Sequence, residues 1–128
     1  MCAKRGHIYV AGAMGDVSRV SEYGSSTILS PGCGFNFQGI DVDDNNCHIV
    51  VDVDKAKVLR LSPNGRSKFP KVDLVAGGSK GTSKAQFQCP WDVTVVDGVV
   101  YVCDMSNDRV MRWVPGAEMG EVVAGGRS

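Results

Sequence analysis

The stretch of sequence that decides the fold is residues 90–126, PWDVTVVDGVVYVCDMSNDRVMRWVPGAEMGEVVAGG. β-Branched and aromatic residues dominate four short runs within it, at 90–96, 99–104, 109–113 and 121–124, as is typical of strands. The dipeptide Asp97-Gly98 separates the first two runs and accepts the positive φ angles of a type I′ hairpin turn. The pattern predicts four antiparallel strands joined by tight turns, which together form one blade of a β-propeller.

The same pattern occurs earlier in the chain. The Val-Ala-Gly-Gly motif at 123–126 also stands at 75–78. Likewise, Asp104 and the run Val-Met-Arg at 110–112 correspond to Asp52 and the run Val-Leu-Arg at 58–60. Self-similarity at about fifty residues is the signature of a repeat architecture. We therefore predict an all-β fold, a partial β-propeller of four-stranded antiparallel blades, in a single domain.

The predicted copies divide the chain into three parts. Residues 87–128 form one blade and residues 37–86 form another, whereas residues 1–36 form an incomplete blade. This first copy begins at the equivalent of a second strand, His7-Ile8-Tyr9-Val10, and we expect it to lack an inner strand.

The last copy resembles the NHL repeat in three segments: Pro90-x-x-Val93-x-Val95, the run Val-Tyr-Val-Cys-Asp-x-x-Asn-x-Arg-Val at 100–110, and the Val-Ala-Gly-Gly motif. The middle copy has Lys55 and Lys57 where the family usually has Asn and Arg. The resemblance implies a six-bladed ring, which at roughly fifty residues per blade needs about 300 residues. The chain is thus expected to be a fragment, or a protomer that completes a ring by association, for example as a homodimer.

Charge and cysteine content limit the classes of function. Fourteen Lys and Arg residues balance fourteen Asp and Glu residues, so no net field draws the molecule to nucleic acid or to a membrane. No apolar stretch approaches the eighteen residues that a membrane span needs. Five cysteines without a CxxC spacing argue against a disulfide framework and a zinc site, and favour a reduced, cytoplasmic location.

The resemblance also indicates where partners bind. In such propellers the loops between the fourth strand of one blade and the first strand of the next share a face with the loops between second and third strands. The candidate partner-binding residues on this face are Lys55, Lys57, Lys80, Lys84, Phe87, Trp91, Asn107 and Arg109. An alternative interpretation is that Phe87 and Trp91 fill the space between blades while the lysines only solubilise a loop.

Three groups of residues suggest chemistry but are better explained by structure. Asp104-x-x-Asn107-x-Arg109 is typical of a carboxylate that binds its own turn and a nearby arginine. The acidic segment 41–52 partly mimics a calcium loop, yet it lacks the required Gly and fits a hairpin. His7 and His48 are too few for a metal site and are expected at exposed strand edges. We predict no catalytic residue, no metal and no cofactor.

These observations lead to three hypotheses about function. The first is a non-catalytic scaffold module of NHL type that mediates protein–protein interaction. The alternative is single-stranded RNA binding, because lysines and arginines can pair with phosphates while exposed rings stack on bases. A third hypothesis is a metal-dependent lyase or lactonase, because the six-bladed propellers that this chain resembles include such enzymes.

Overall fold

A computed structural model describes residues 2–4, 7–11, 17–21, 24–29, 36–62 and 70–126 of the chain. In the first four of these segments the described side chains are those of Tyr9 and Val17. Within the described residues no helix is long and apolar enough to cross a membrane.

The described strands form three antiparallel sheets of four strands each. The first sheet comprises β1 (Cys2–Lys4), β2 (His7–Ala11), β3 (Val17–Ser21) and β4 (Gly24–Leu29). The middle sheet comprises β5 (Phe37–Val42), β6 (His48–Asp52), β7 (Lys57–Ser62) and β8 (Lys71–Gly77). The last sheet comprises β9 (Pro90–Val96), β10 (Val99–Asp104), β11 (Arg109–Trp113) and β12 (Glu121–Gly125), with a 3₁₀ turn at Met105–Asn107.

Each sheet lies within one predicted copy, and its strands are ordered as they occur along the chain, which is the meander of a propeller blade. The first blade corrects one expectation, because it does have an inner strand. Cys2 pairs with Tyr9 and Lys4 pairs with His7. The segment Cys2-Ala3-Lys4 contains no β-branched or aromatic residue, so its sequence carries no strand signal.

The hydrophobic core is divided into two layers, each between two blades. The layer between the first and middle blades contains Tyr9, Val17, Phe37, Ile40, Val42, Val50, Leu59 and Leu61. The layer between the middle and last blades contains Ile49, Val51, Ala56, Val58, Ala76, Phe87, Val93, Val95, Val100, Val102, Met111 and Trp113.

The alternation of side chains along β6 produces this arrangement. Val50 belongs to the first layer, while Ile49 and Val51 belong to the second, because successive residues of a strand point to opposite faces. Every residue of β6 is consequently buried, whereas every residue of β12 is exposed. The middle blade is thus covered on both faces by its neighbours.

The inner strands β5 and β9 approach each other closely at Gly39. A Cβ atom at this position would lie 2.8 Å from the Cα atom of Asp92 and 2.9 Å from the carbonyl oxygen of Trp91. Only glycine leaves room for the backbone of the neighbouring blade at this distance.

The turns explain two sequence signals. Asp97 and Gly98 have φ angles of 51° and 80°, which confirms the positive-φ hairpin turn predicted there. In the calcium-like segment, Asp43 Oδ1 accepts hydrogen bonds from the backbone N–H groups of Asn45 (2.9 Å) and Cys47 (2.8 Å). The hairpin interpretation of this segment is therefore confirmed.

The repeated diglycine fastens the end of an outer strand to the turn between the second and third strands. The Gly78 N–H donates to the Ala56 carbonyl at 3.0 Å, and the Gly126 N–H donates to the Asp108 carbonyl at 2.6 Å. A Cβ atom on Gly77, whose φ is 74°, would lie 2.5 Å from the Ala56 carbonyl oxygen. The Val-Ala-Gly-Gly motif recurs because this contact excludes a side chain.

Candidate functional site

The buried Asp104 carboxylate organises the loop end of the last blade. Its Oδ1 atom accepts hydrogen bonds from the backbone N–H groups of Gln88 and Cys89, both at 3.0 Å. Its Oδ2 atom accepts from Asn107 Nδ2 at 2.7 Å and from Arg109 Nε at 3.2 Å. The carboxylate therefore pairs with Arg109 as predicted, but the backbone N–H groups that it binds belong to residues 88 and 89 and not to its own turn.

Arg109 fastens the long loop, residues 78–89, to the blade. Its Nη1 atom donates to the Thr82 carbonyl at 3.1 Å, and its Nη2 atom donates to the carbonyls of Ser83 (2.8 Å) and Gln86 (2.7 Å). With the bond to Asp104, the guanidinium donates four hydrogen bonds of the five that an arginine can make. Its side chain is only 7% exposed, so Arg109 holds the loop in place.

Asn107 strengthens the same attachment, because its Nδ2 atom also donates to the Gly81 carbonyl at 3.1 Å. Among the predicted partner-binding residues, Asn107 and Arg109 are therefore positioned on the expected face, but their polar groups bind the protein's own loop. The loop carbonyls that accept these hydrogen bonds lie more than twenty residues away in sequence, and backbone carbonyls have no sequence signature.

Phe87 corrects the candidate set, because its side chain is fully buried. Its ring centroid lies 5.3 Å from that of Trp113, in the core layer between the middle and last blades. A large apolar ring is more stable in the gap between two sheets than in water, because its burial removes apolar surface from the solvent. For Phe87 the inter-blade interpretation is the correct one.

The other candidates remain accessible. Lys55, Lys80 and Lys84 are exposed, Lys57 is partly exposed, and Trp91 is 43% exposed at the start of β9. Of the two aromatic candidates, Trp91 is therefore accessible at the surface, whereas Phe87 is buried.

Backbone contacts show how these lysines are distributed. Lys55 and Lys57 flank Ala56, whose carbonyl binds Gly78 at the beginning of the long loop. Lys84 lies against the β11–β12 connection, because its carbonyl accepts a hydrogen bond from the Gly120 N–H at 2.9 Å. The lysines therefore follow the long loop across the blade and do not converge on one point.

A cleft of about 560 Å³ opens between the long loop, the 3₁₀ turn and the end of β12. It is lined by Thr82, Ser106, Asn107, Arg109, Val122, Gly125 and Gly126. Because Arg109 is already engaged, this cleft offers hydroxyl and backbone groups rather than a free charge. The sequence prediction missed it, although the diglycine at 125–126 marks a place without side chains.

Met105 is a second accessible apolar residue that the sequence prediction missed. It is 52% exposed, and its backbone N–H donates to the Cys89 carbonyl at 2.9 Å, which places it beside the start of β9. Met105 precedes Ser106 of the cleft and lies on the same end of the blade as Trp91. Trp91 and Met105 are thus apolar groups next to a polar cleft.

His48 is buried, which corrects the expectation of an exposed histidine at a strand edge. Its ring packs edge-on against Tyr9 of the first blade, with the centroids 5.1 Å apart, and neither ring nitrogen has a hydrogen-bond partner. Burial lowers the pKa of His48, and the nearby Asp43 carboxylate only partly offsets this effect. Within the described part of the chain, no three His, Cys, Asp or Glu side chains are grouped so that they could hold a metal ion.

Comparisons with known proteins agree with this architecture. The family model of the NHL repeat matches residues 87–110. Comparison with curated protein sequences gives no significant match.

Two solved structures are similar to the chain. One is an auxiliary nutrient binding protein from Bacteroides thetaiotaomicron VPI-5482, with a TM-score of 0.66 and 17% identity over 96% of this chain and 35% of that chain. The other is a catalytically inactive virginiamycin B lyase from Staphylococcus aureus with quinupristin, with a TM-score of 0.60 and 16% identity over 92% of this chain and 36% of that chain. This chain spans about a third of the length of each of these β-propeller-type proteins. Its residues 87–110 match the NHL repeat, and its three sheets are blades of a partial β-propeller.

Proposed function

We propose that this chain is a non-catalytic binding module that engages a protein partner through the loop face. We define the loop face as the exposed side chains of Lys80, Lys84, Trp91 and Met105 together with the neighbouring cleft. The observation that carries the proposal is the attachment of the long loop by Arg109 and Asn107, which fixes the backbone that displays Lys80 and Lys84.

A fixed loop favours binding because less conformational freedom is lost when the partner docks. Immobilising a flexible segment costs free energy that must be subtracted from the contacts made. In this chain the four carbonyls of Gly81, Thr82, Ser83 and Gln86 are already bound within the protein. The loop face is thus preorganised before any partner arrives.

The chemistry of the loop face suits an acidic peptide segment. Trp91 is an exposed aromatic residue of the kind that dominates binding energy at protein interfaces, and Met105 provides an adaptable apolar contact. Lys80 and Lys84 give the surroundings a positive charge that attracts acidic side chains. We place this encounter in the cytoplasm, because five cysteines without a CxxC spacing favour a reduced compartment.

Single-stranded RNA is the competing ligand for lysines beside a ring. Such binding normally stacks successive bases on several exposed aromatic side chains. Of the two aromatic residues predicted for this face, Phe87 is buried and Trp91 is accessible, so one ring and not two is available for stacking. This difference supports a protein partner over RNA.

The proposal is tested with two matched double variants of the full chain. Lys80→Glu with Trp91→Ala alters the loop face, whereas Lys71→Glu with Leu74→Ala removes one exposed lysine and one exposed apolar residue from β8. The immobilised wild-type chain and each variant are incubated with extract of the source cells, once with and once without nuclease treatment, and the bound proteins are quantified by mass spectrometry.

We expect a defined set of proteins that binds the wild-type chain and the β8 variant but not the loop-face variant. Equal recovery by all three chains would overturn the proposal. Recovery that disappears after nuclease treatment, with an affinity for a single-stranded RNA that falls steeply with salt, would also overturn it in favour of RNA binding.

A further inference from the structure

We infer that the outer edge of the middle blade binds an extended apolar peptide of a protein partner, which adds to β8 as a further strand. This site, the β8 edge, consists of Val72, Asp73 and Leu74. Because β8 is the last strand of its meander, its free edge points away from both neighbouring sheets and stays free however many blades precede or follow. The β8 edge is separate from the loop face and does not depend on the proposed function.

The β8 edge carries exposed apolar side chains. Leu74 is 61% exposed, more than any other large apolar residue in the part of the chain that the structure describes, and Val72 is 38% exposed. Their cross-strand partners on β7, Leu59 and Leu61, are buried. The apolar face of this blade thus continues from a covered third strand to an uncovered outer strand, whose removal from water is favourable.

The strand registers of two blades show which outer-strand residues correspond. The third-strand arginine pairs with Asp73 in the middle blade and with Glu121 in the last blade. Each of these ladders has a single irregularity, at the equivalent place on the third strand. Val72, which precedes Asp73, therefore corresponds to Gly120, which precedes Glu121.

In the last blade the chain itself covers this position. The Gly120 N–H donates to the Lys84 carbonyl at 2.9 Å, so the backbone of the long loop lies at the outer edge beside the start of β12. The connection before the middle blade, residues 30–36, is shorter than the long loop, and Leu74 is left exposed. An extended backbone segment is thus the kind of group that this edge accepts.

The backbone of β8 offers matching groups to such a segment. Along an antiparallel strand, successive residues direct their N–H and C=O groups alternately toward one neighbour and the other. The Gly120 N–H turns away from the third strand to reach the long loop, so the corresponding Val72, and Leu74 two residues later, turn theirs away from β7. The same two residues carry the exposed side chains, so an added strand gains both hydrogen bonds and apolar contacts.

Asp73 favours a partner peptide over a second copy of this chain. Antiparallel pairing of two β8 edges that sets Val72 against Leu74 also sets Asp73 against its own counterpart, and like charges directly opposite each other destabilise a sheet. Lys71 approaches the Asp73 carboxylate at 3.9 Å but leaves this side chain 48% exposed. A peptide with a basic residue between two apolar ones pairs with the carboxylate and covers both neighbours.

The experiment selects peptides from a displayed library of random linear sequences on the immobilised full chain. We expect the enriched peptides to have a basic residue between two apolar ones. A synthetic peptide of the enriched sequence should bind Leu74→Asp at least about tenfold more weakly than the wild-type chain, because a large apolar contact is lost. Circular dichroism checks that this variant keeps its β-sheet content.

Two controls bind the same synthetic peptide. Val96→Asp changes another exposed apolar residue, on β9, and should leave the affinity unchanged. The loop-face variant, Lys80→Glu with Trp91→Ala, should also bind the peptide as tightly as the wild-type chain. This second control separates the β8 edge from the proposed function.

Amide hydrogen exchange, measured by NMR with and without the peptide, identifies the groups that bind. The N–H groups of Val72 and Leu74 should exchange more slowly in the complex, whereas that of Asp73, already directed at β7, should not change. Failure to enrich any peptide, equal affinity for Leu74→Asp, or protection of the loop face in place of β8 would overturn the inference. Protection of Val72 and Leu74 in a dimer formed without peptide would overturn it in favour of a second copy.

Discussion

Asp41 on the inner strand of the middle blade accepts a hydrogen bond from the backbone N–H of Val95 on the inner strand of the last blade, at 2.8 Å. The same carboxylate accepts a second hydrogen bond from the Val42 N–H at 2.9 Å. A buried carboxylate thus joins two sheets whose strands are not paired with each other. Charged acceptors make stronger hydrogen bonds than neutral ones, so this contact fixes how the two blades are placed.

Replacement of Asp41 by Ala should destabilise the chain by roughly 1–3 kcal/mol, because the buried Val95 N–H loses its partner. The unfolding midpoint in urea measures this loss. Asp92→Ala is the control, since the Asp92 carboxylate is exposed and accepts a hydrogen bond from the adjacent Val93 N–H. Equal midpoints for the two variants would show that the inter-blade hydrogen bond contributes nothing.

Gly39→Ala should destabilise the interface between the same two blades by about 1–3 kcal/mol, a typical cost of forcing extra volume into a packed site. The added methyl group would meet the backbone of Asp92 and Trp91, which cannot rotate away as a side chain can. Hydrogen exchange of the Val95 amide should become faster in this variant. Gln38→Ala, a change at the neighbouring exposed position, should leave that amide protected.

Arg109→Lys should release the long loop while conserving the positive charge, because an ammonium group cannot reproduce the planar fork of donors. Lys80 and Lys84 lie in this loop, so limited digestion with trypsin should cleave after them faster than in the wild-type chain. Arg112→Lys is the matched control, since Arg112 pairs with Glu121 across 3.9 Å at the surface. If both variants were cut at the wild-type rate, Arg109 would not be what holds the loop.

His48 should make stability depend on pH in the mildly acidic range. In the unfolded chain its pKa is about 6.5, and burial lowers the pKa in the folded chain. The unfolded state therefore binds more protons between these two values. The stabilising contribution of the neutral His48 is fully present above pH 6.5. Below this pH the free energy of unfolding decreases by up to about 1.4 kcal/mol per pH unit, until the pKa of the folded state is reached.

Urea unfolding of the wild-type chain and of His48→Val between pH 5 and pH 8 tests this dependence. Valine is the natural replacement, because Val100 occupies the equivalent position in the last blade. The variant should lose part of the decrease in stability below pH 6.5. Parallel curves for the two chains would mean that His48 does not titrate differently on folding.

Local sequence patterns predicted the strands of the last blade well. The predicted runs at 90–96, 99–104 and 109–113 coincide with β9, β10 and β11, since alternating β-branched residues and Asp97-Gly98 determine a hairpin locally. The inner strand Cys2–Lys4 was not predicted, because it is held by pairing with β2 and not by its own propensity. Side-chain composition alone could not reveal it.

The candidate site was predicted less completely, because its contacts join distant parts of the chain. The spacing of Asp104, Asn107 and Arg109 predicted their local cluster, but not the loop carbonyls that Arg109 binds. Phe87 could be assigned either to the surface or to the core, and only the position of Trp113 decides between them. The burial of His48 likewise depends on Tyr9 from another blade.

The division of the core into two layers separates the unit of sequence from the unit of folding. The first and last copies each supply one half of a layer and the middle copy supplies one half of both, so a single copy excised from the chain lacks a complete layer. Two adjacent copies form the smallest piece with a complete hydrophobic layer. Folding cooperativity in this molecule is then set by the interfaces between neighbouring blades, as in a one-dimensional array of repeats.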